Sequence, residues 1–167
     1  MIKMALKDSF IGELKSEASF TKKMLERVPL DNPQWKPHEK SMAIGRLATH
    51  VAEIPHWISD IAKADEYDFL KHPHNPRIAR SQAELLEIMQ TNLDQAIADL
   101  GDTDDESLEK KWVVRRGDHI FSEMKKKVAM RSWGFSHIYH HRGQLSVYLR
   151  LLDIPVPGMY GPSADER

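Results

Sequence analysis

The sequence predicts an all-α fold: a four-helix bundle with long loop connections and a short extended or hairpin segment before the last helix. Apolar residues recur at spacings of three and four in four separate segments, which is the period of an amphipathic helix. Prolines and glycines cluster between those segments, where they end helices. Four such helices can bury their apolar faces together as a bundle. The length of 167 residues favours a single domain over residues 1–167.

The first two helices are predicted on either side of a proline-rich connection. The first covers about residues 4–27 and is followed by a connection over residues 29–40 that carries three prolines, which prevent the helix from continuing. The second begins near Ser41, a favourable N-cap residue, and extends to about Ile61. Pro55 lies inside this second segment and is expected to kink it or to divide it into two.

The third and fourth helices are predicted after a loop over residues 65–80. A capping box begins at Ser81 and opens a helix that ends at Gly101. Two β-prone runs around Gly117-Asp118 predict the short hairpin or extended connection. A long helix is then expected from about Ser122 to Leu152, and the proline-rich tail after it is expected to be extended.

Composition excludes several classes of function. Lysine and arginine total 24, aspartate and glutamate total 25, and the formal net charge is −1. With this charge balance the protein has no strong positive electrostatic potential that would attract nucleic acid or an anionic membrane, so neither partner is expected. The chain has no apolar run long enough for a membrane span and no signal-peptide pattern, and we expect a cytoplasmic protein.

Cysteine is absent, and this restricts the chemistry further. A chain without thiols has no disulfide framework, no thiolate nucleophile, no zinc finger and no iron–sulfur cluster. Any metal ion must therefore be held by nitrogen and oxygen atoms. The signatures of α/β-hydrolases, P-loop proteins and dinucleotide-binding folds are absent too. The short basic runs in this neutral chain are interpreted as solvated faces.

Three of the nine histidines are candidate metal ligands. His137 and His141 are four residues apart on the last predicted helix, so both imidazoles lie on one face and can reach one ion. His140 points about 100° away from His141 and is expected to be solvated. His50 is placed on or beside the inward face of the second helix. The alternative for all three candidates is a core histidine that is satisfied by hydrogen bonds.

A site of three neutral imidazoles would leave coordination positions open, which is typical of a catalytic rather than a structural metal site. Glu53, three residues after His50, could orient a ligand or take a proton, or it could be an ordinary surface carboxylate. His56 could lie near the mouth of the same cavity. The sequence leaves the roles of Glu53 and His56 open.

These residues resemble a known family. His50 on the second helix, the HHRGQL segment of the last helix and the proline-rich tail make the chain similar to the DinB family of DNA-damage-inducible proteins. The matching residues are His50, His137, His141, Arg142, Gly143, Gln144, Leu145, Tyr148, Leu149, Arg150, Pro155, Val156, Pro157, Gly158, Tyr160 and Gly161. The resemblance implies a four-helix bundle, a divalent metal ion such as zinc or nickel on His50, His137 and His141, and a homodimer.

The resemblance also leads to two hypotheses about an enzymatic function and one about a non-catalytic function. Some relatives are similar to thiol-dependent S-transferases or isomerases, which implies a metal-dependent enzyme that activates a low-molecular-weight thiol for attack on a small-molecule substrate. Because the chain has no cysteine, that thiol must come from solution. A second version replaces the thiol with metal-bound water and gives hydrolysis. The alternative from another class is a non-catalytic, dimeric stress-response bundle that binds a metal or ligand.

Overall fold

A computed structural model of the chain describes residues 5–72 and 75–166, and it is mostly helical. The helices are α1 (Leu6–Leu25), α2 (Ile44–Glu53), α3 (His56–Lys63), α4 (Gln82–Gly101), α5 (Asp105–Glu109), α6 (Lys126–Ala129) and α7 (Ser136–Leu151), with a π-helical segment (Met130–Phe135) and a short 3-10 turn (Ala164–Glu166). The strands are β1 (Glu66–Asp68), β2 (Lys111–Arg116) and β3 (His119–Lys125). The predicted helix start near Met4 and the loop residues Pro73 and His74 lie outside the described ranges.

Helices α1 and α4 follow the predicted patterns. Helix α1 buries a stripe with the expected spacing, which includes Phe10, Leu14 and Leu25. At the start of α4 the Ser81 hydroxyl accepts a hydrogen bond from the backbone N–H of Glu84 over 3.1 Å, so the predicted cap is confirmed. Both helices contribute to two buried apolar clusters, which lie towards opposite ends of the helical layer.

The second predicted helix is divided at Pro55, as the sequence indicates. Helix α2 ends at Glu53 and α3 begins at His56, because the proline nitrogen cannot donate to the helical ladder. Both pieces pack on α4 and bury their apolar faces, with Val51 and Ile58 fully buried. The helical part is thus divided into more pieces than the four that the sequence predicts.

A small three-stranded sheet corrects the all-α prediction. Strand β2 pairs in parallel with β1 and antiparallel with β3, in the order β1-β2-β3. The predicted hairpin is confirmed: Gly117, with φ of +58°, turns the chain between β2 and β3. The buried carboxylate of Asp68 in β1 accepts from the backbone N–H of Gly117 over 3.0 Å and fixes this turn. The sequence predicts a loop for the β1 residues, so this strand is a correction.

The last helical segment begins later than predicted. Residues 122–125 belong to β3 rather than to a helix, because they pair with β2, whose Trp112 and Val114 are fully buried. The helical segment then runs from Lys126 through the π-helical turns into α7. Close packing accompanies the π-helical segment, since a Cβ atom on Gly134 would lie 2.7 Å from Cγ1 of Ile58.

None of the helices within residues 5–72 and 75–166 combines the length and the hydropathy that a membrane crossing requires.

Candidate metal centre

Helices α2 and α7 bring the three predicted histidines together. The Nε2 atoms of His50 and His137 are 3.1 Å apart. One nitrogen from each of His50, His137 and His141 lies within 4.8 Å of the other two. Tetrahedral coordination at about 2.1 Å per bond needs nitrogen atoms about 3.4 Å apart, so the cluster fits a metal ion after small adjustments. Among the described residues this is the one such group of potential metal ligands.

Hydrogen bonds orient two of the three imidazoles. Nδ1 of His137 lies 3.2 Å from the backbone oxygen of Trp133, and Nδ1 of His141 lies 2.7 Å from Oε1 of Gln144. Both oxygens only accept hydrogen bonds, so each Nδ1 must carry the proton and donate it. The lone pair of each imidazole is therefore on Nε2. This arrangement, in which the outer nitrogen donates to an oxygen, is the one that metal-binding histidines usually have.

The three imidazoles are held in their neutral form. Burial, and then the neighbouring His141 and His137, lower the pKa of His50 to about 3. Burial and His141 lower the pKa of His137 to about 4. Burial also lowers the pKa of His141, although the hydrogen bond to Gln144 opposes this change. Neutral imidazole is the form that binds metal ions. The donor set suits zinc or nickel, whereas calcium and magnesium prefer oxygen.

The π-helical segment supplies one of these orienting groups. The backbone N–H of Ser136 donates to the oxygen of Arg131, five residues earlier, which is the π-helical hydrogen-bond pattern. Trp133 lies inside this segment, and its carbonyl accepts from the His137 side chain. Short π-helical segments occur often at functional sites. Here the segment directly precedes the helix that carries two of the three histidines.

A pocket of about 350 Å³ opens beside the histidine cluster. Its walls combine two of the three histidines with aromatic, charged and polar side chains. They are Arg46, His50, Glu53, His56, Trp57, Tyr67, Phe69, His72, Asn75 and His137. The rings of Trp57 and Tyr67 have centroids 4.5 Å apart, and His72 stacks on Tyr67 at 4.8 Å. The pocket is thus an aromatic-walled space that reaches the candidate metal ligands.

Glu53 and His56 both line this pocket. The Glu53 carboxylate accepts from Nη1 of Arg46 over 2.9 Å and from Nε of Arg77 over 3.5 Å. Within the described residues it makes no hydrogen bond to a histidine side chain, so it does not orient an imidazole. His56 donates from Nδ1 to the Glu53 backbone oxygen over 2.6 Å, and its Nε2 lies 3.6 Å from Asp60. His56 therefore lines the cavity, a position that the sequence leaves open.

Other residues at the centre were not singled out from the sequence. Gln144 belongs to the HHRGQL segment, but its role as the acceptor for His141 was not predicted, although its position three residues further along a helix is a usable signal. Arg46 and the aromatic pocket wall were also missed. His140 is exposed and lies outside the cluster, as expected.

Comparison with known proteins places the chain in a family. The family model described as DinB family matches residues 1–167. The "Uncharacterized protein YjoA" of Bacillus subtilis (strain 168) is 22% identical over 150 residues, which cover 88% of this chain and 91% of YjoA. The crystal structure of a DinB-like protein from Bacillus cereus ATCC 10987 has a TM-score of 0.69 at 21% identity and covers 92% of this chain and 97% of that one. The crystal structure of the DinB-like YjoA has a TM-score of 0.67 at 19% identity and covers 88% and 95%. The fold is therefore DinB-like, and with its family model matching all 167 residues this chain belongs to the DinB family.

Proposed function

We propose that the protein binds one divalent transition-metal ion, zinc or nickel, through Nε2 of His50, His137 and His141. We propose further that it is a metal-dependent enzyme, which activates a low-molecular-weight thiol, or water, for attack on a small electrophilic substrate. The observation that carries this proposal is the convergence of three neutral imidazoles beside a pocket of about 350 Å³.

Each part of the site has a role in this proposal. A bound metal ion lowers the pKa of a coordinated thiol or water, so that a nucleophile is available at neutral pH. The Trp133 carbonyl and the Gln144 side chain hold two imidazoles in the orientation that directs Nε2 inwards. The aromatic wall of Trp57, Tyr67 and Phe69 limits water around the substrate. The thiol comes from solution because the chain has no cysteine.

The second candidate is a non-catalytic, dimeric bundle that binds a metal ion or ligand. Two exposed apolar side chains on α7, Val147 and Leu151, favour a contact with a second copy, since each is 57% exposed and they are one helical turn apart. A homodimer is compatible with either function. The two candidates differ in turnover: in the second one, removal of the metal lowers stability but removes no activity.

Metal content of the purified protein is the first test. The protein is prepared without a histidine tag, and bound metals are measured per chain by elemental mass spectrometry. We expect about one equivalent of zinc or nickel, and its loss in His50→Ala with helical content retained. His119→Ala changes a histidine at the start of β3 and serves as the matched control, with unchanged metal content. Absence of metal after reconstitution would contradict the proposal.

Turnover separates the two candidates. Metal-loaded protein is mixed with a simple thiol and a chromogenic electrophile such as an aryl halide, and thioether formation is followed by absorbance. The enzyme proposal expects a rate that disappears with a chelator and returns with added metal. A metal-loaded protein that turns over none of a broad panel of thiols and electrophiles, and loses only thermal stability on chelation, would favour the non-catalytic bundle.

A further inference from the structure

Two arginines share one carboxylate at the edge of the histidine pocket. Nη1 of Arg46 lies 2.9 Å from Oε2 of Glu53, and Nε of Arg77 lies 3.5 Å from Oε1 of the same residue. Two guanidinium groups against one carboxylate leave one positive charge uncompensated. Arg46 lines the pocket together with Glu53, whereas Arg77 is half-exposed and contacts Glu53 from outside the pocket lining.

Arg46 is placed to deliver this charge to a ligand. It lies one turn before His50 on α2, it lines the same pocket, and only 15% of its side chain is exposed. His50, one of the candidate metal ligands, lines this pocket with Arg46. Within residues 5–72 and 75–166 its hydrogen bonds leave only from Nη1, to Glu53 and to the Arg77 backbone oxygen. Nη2 and Nε keep donors for a further acceptor.

We infer that Arg46 is a specificity-determining residue that binds an anionic group, a carboxylate, on the thiol or substrate that enters the histidine pocket. Glu53 holds the guanidinium in place, and Arg77 offsets the charge of Glu53, so that the positive charge of Arg46 remains available. The aromatic wall contacts the apolar part of the same ligand. The ligand class is thus a small carboxylate with a thiol or an electrophilic carbon. This inference rests on the proposed metal-dependent function.

The test compares two thiols that differ in the carboxylate. Protein loaded with Co²⁺ in place of the native metal is titrated with 3-mercaptopropionate and with 2-mercaptoethanol, and thiolate binding is followed by the sulfur-to-cobalt charge-transfer absorption. We expect 3-mercaptopropionate to bind about tenfold more tightly or better, the ratio that one charge-assisted hydrogen bond supplies. The preference should disappear in Arg46→Gln and be reduced in Arg46→Lys, which keeps the charge but loses the planar donors.

Controls separate this inference from the function on which it rests. Arg116→Gln removes an exposed arginine at the end of β2 and should keep the preference. Equal affinities for the two thiols would overturn the inference and leave thiol activation intact. A preference that persists in Arg46→Gln would also overturn it, because the metal ion would then hold the carboxylate.

If neither thiol produced the sulfur-to-cobalt absorption, thiol activation would be contradicted. Binding of propionate would then test whether Arg46 binds a carboxylate. Propionate binding is measured by calorimetry on the metal-loaded wild type and on Arg46→Gln. Binding that depends on Arg46 supports the inference. No binding, or equal binding to both proteins, overturns it.

Discussion

Two faces of α7 carry polar side chains at neighbouring positions. The hydrogen-bonding groups of one face are only partly paired, whereas those of the other face find partners within the protein. On one face, His137 and His141 each use one ring nitrogen in a hydrogen bond, and the other nitrogens converge with His50 without a complete set of partners. On the other face, the buried guanidinium of Arg142 donates to the Glu17 carboxylate and backbone oxygen. It also donates to the hydroxyl groups of Thr21 and Tyr160.

The difference separates a structural network from a binding site. The Arg142 face is closed in its hydrogen bonding, although it borders a cavity of about 520 Å³: a buried cation meets a buried anion and two hydroxyl groups, which is the condition under which charges are retained in a protein interior. The histidine face is open, because one nitrogen from each of three imidazoles converges there, and among the described residues the only hydrogen bond between these rings joins His50 to His137 over 3.1 Å, so a cation would complete the set of partners. Removal of a side chain should therefore cost stability on one face and ligand binding on the other.

The largest expected effect is on the open face. His141→Ala removes one of three metal ligands and should cost most of the bound metal, while the protein stays folded and helical. His140→Ala is the adjacent control, since its side chain is exposed and lies outside the cluster, and it should leave metal content nearly unchanged. Elemental mass spectrometry and circular dichroism measure the two properties. Equal behaviour of the two variants would mean that the faces of α7 are assigned wrongly.

The closed face should respond in stability rather than in metal content. Arg142→Met leaves the Glu17 carboxylate buried without its cation, and such changes cost about 3–5 kcal/mol in the free energy of unfolding. The matched control is Lys71→Met at an exposed ion pair with Glu66, which should cost less than about 1 kcal/mol. Urea denaturation measures both. Loss of metal in folded Arg142→Met, or a cost no larger than that of the control, would contradict the comparison.

A smaller effect is expected from the group that orients His141. Gln144→Ala removes the acceptor of the Nδ1 proton and should weaken metal affinity about 10–100-fold, as changes in such supporting groups do. Gln144→Glu keeps an acceptor oxygen and should retain the affinity. Gln90→Ala changes an exposed glutamine on α4 and is the neutral control. Competition with a chromophoric chelator measures the affinities. An unchanged affinity in Gln144→Ala would show that this hydrogen bond does not support the metal site.

Local patterns explain why the histidine cluster was predictable. The spacing of His137 and His141 fixes their common face within a single helix, and the apolar period of α2 directs His50 inwards. The pocket wall was not predictable in this way. Tyr67 and Phe69 come into place because β1, a strand of three residues, pairs with β2, whose partner residues are 47 positions later in the chain (113 minus 66). A pairing between strands so far apart in the chain leaves no periodic pattern in either segment from which it could be predicted.

The burial phase of the last helical segment was not predictable for a related reason. The helix predicted from about Ser122 to Leu152 contains Val128, which is seven residues before Phe135 and would share its face in a regular α-helix. The π-helical segment between them has more residues per turn and shifts this phase, so that Val128 is 45% exposed while Phe135 is fully buried. The shift depends on packing against α3, which the sequence of the helix alone does not display.

Substitutions at two glycines of this helical segment are expected to change stability least, and with opposite signs. Gly143→Ala places a methyl group where, among the described residues, no atom from outside its own helix lies within 4 Å, so the lower backbone entropy of the unfolded chain should raise stability by about 0.5–1 kcal/mol. Gly134→Ala forces a methyl group against Ile58 beside the π-helical segment and should lower stability by about 1–3 kcal/mol. Thermal unfolding of the two variants gives opposite signs if the segment is held by close packing. A stabilised Gly134→Ala would show instead that the π-helical turns relax freely, and the orientation of His137 by Trp133 would then need another cause.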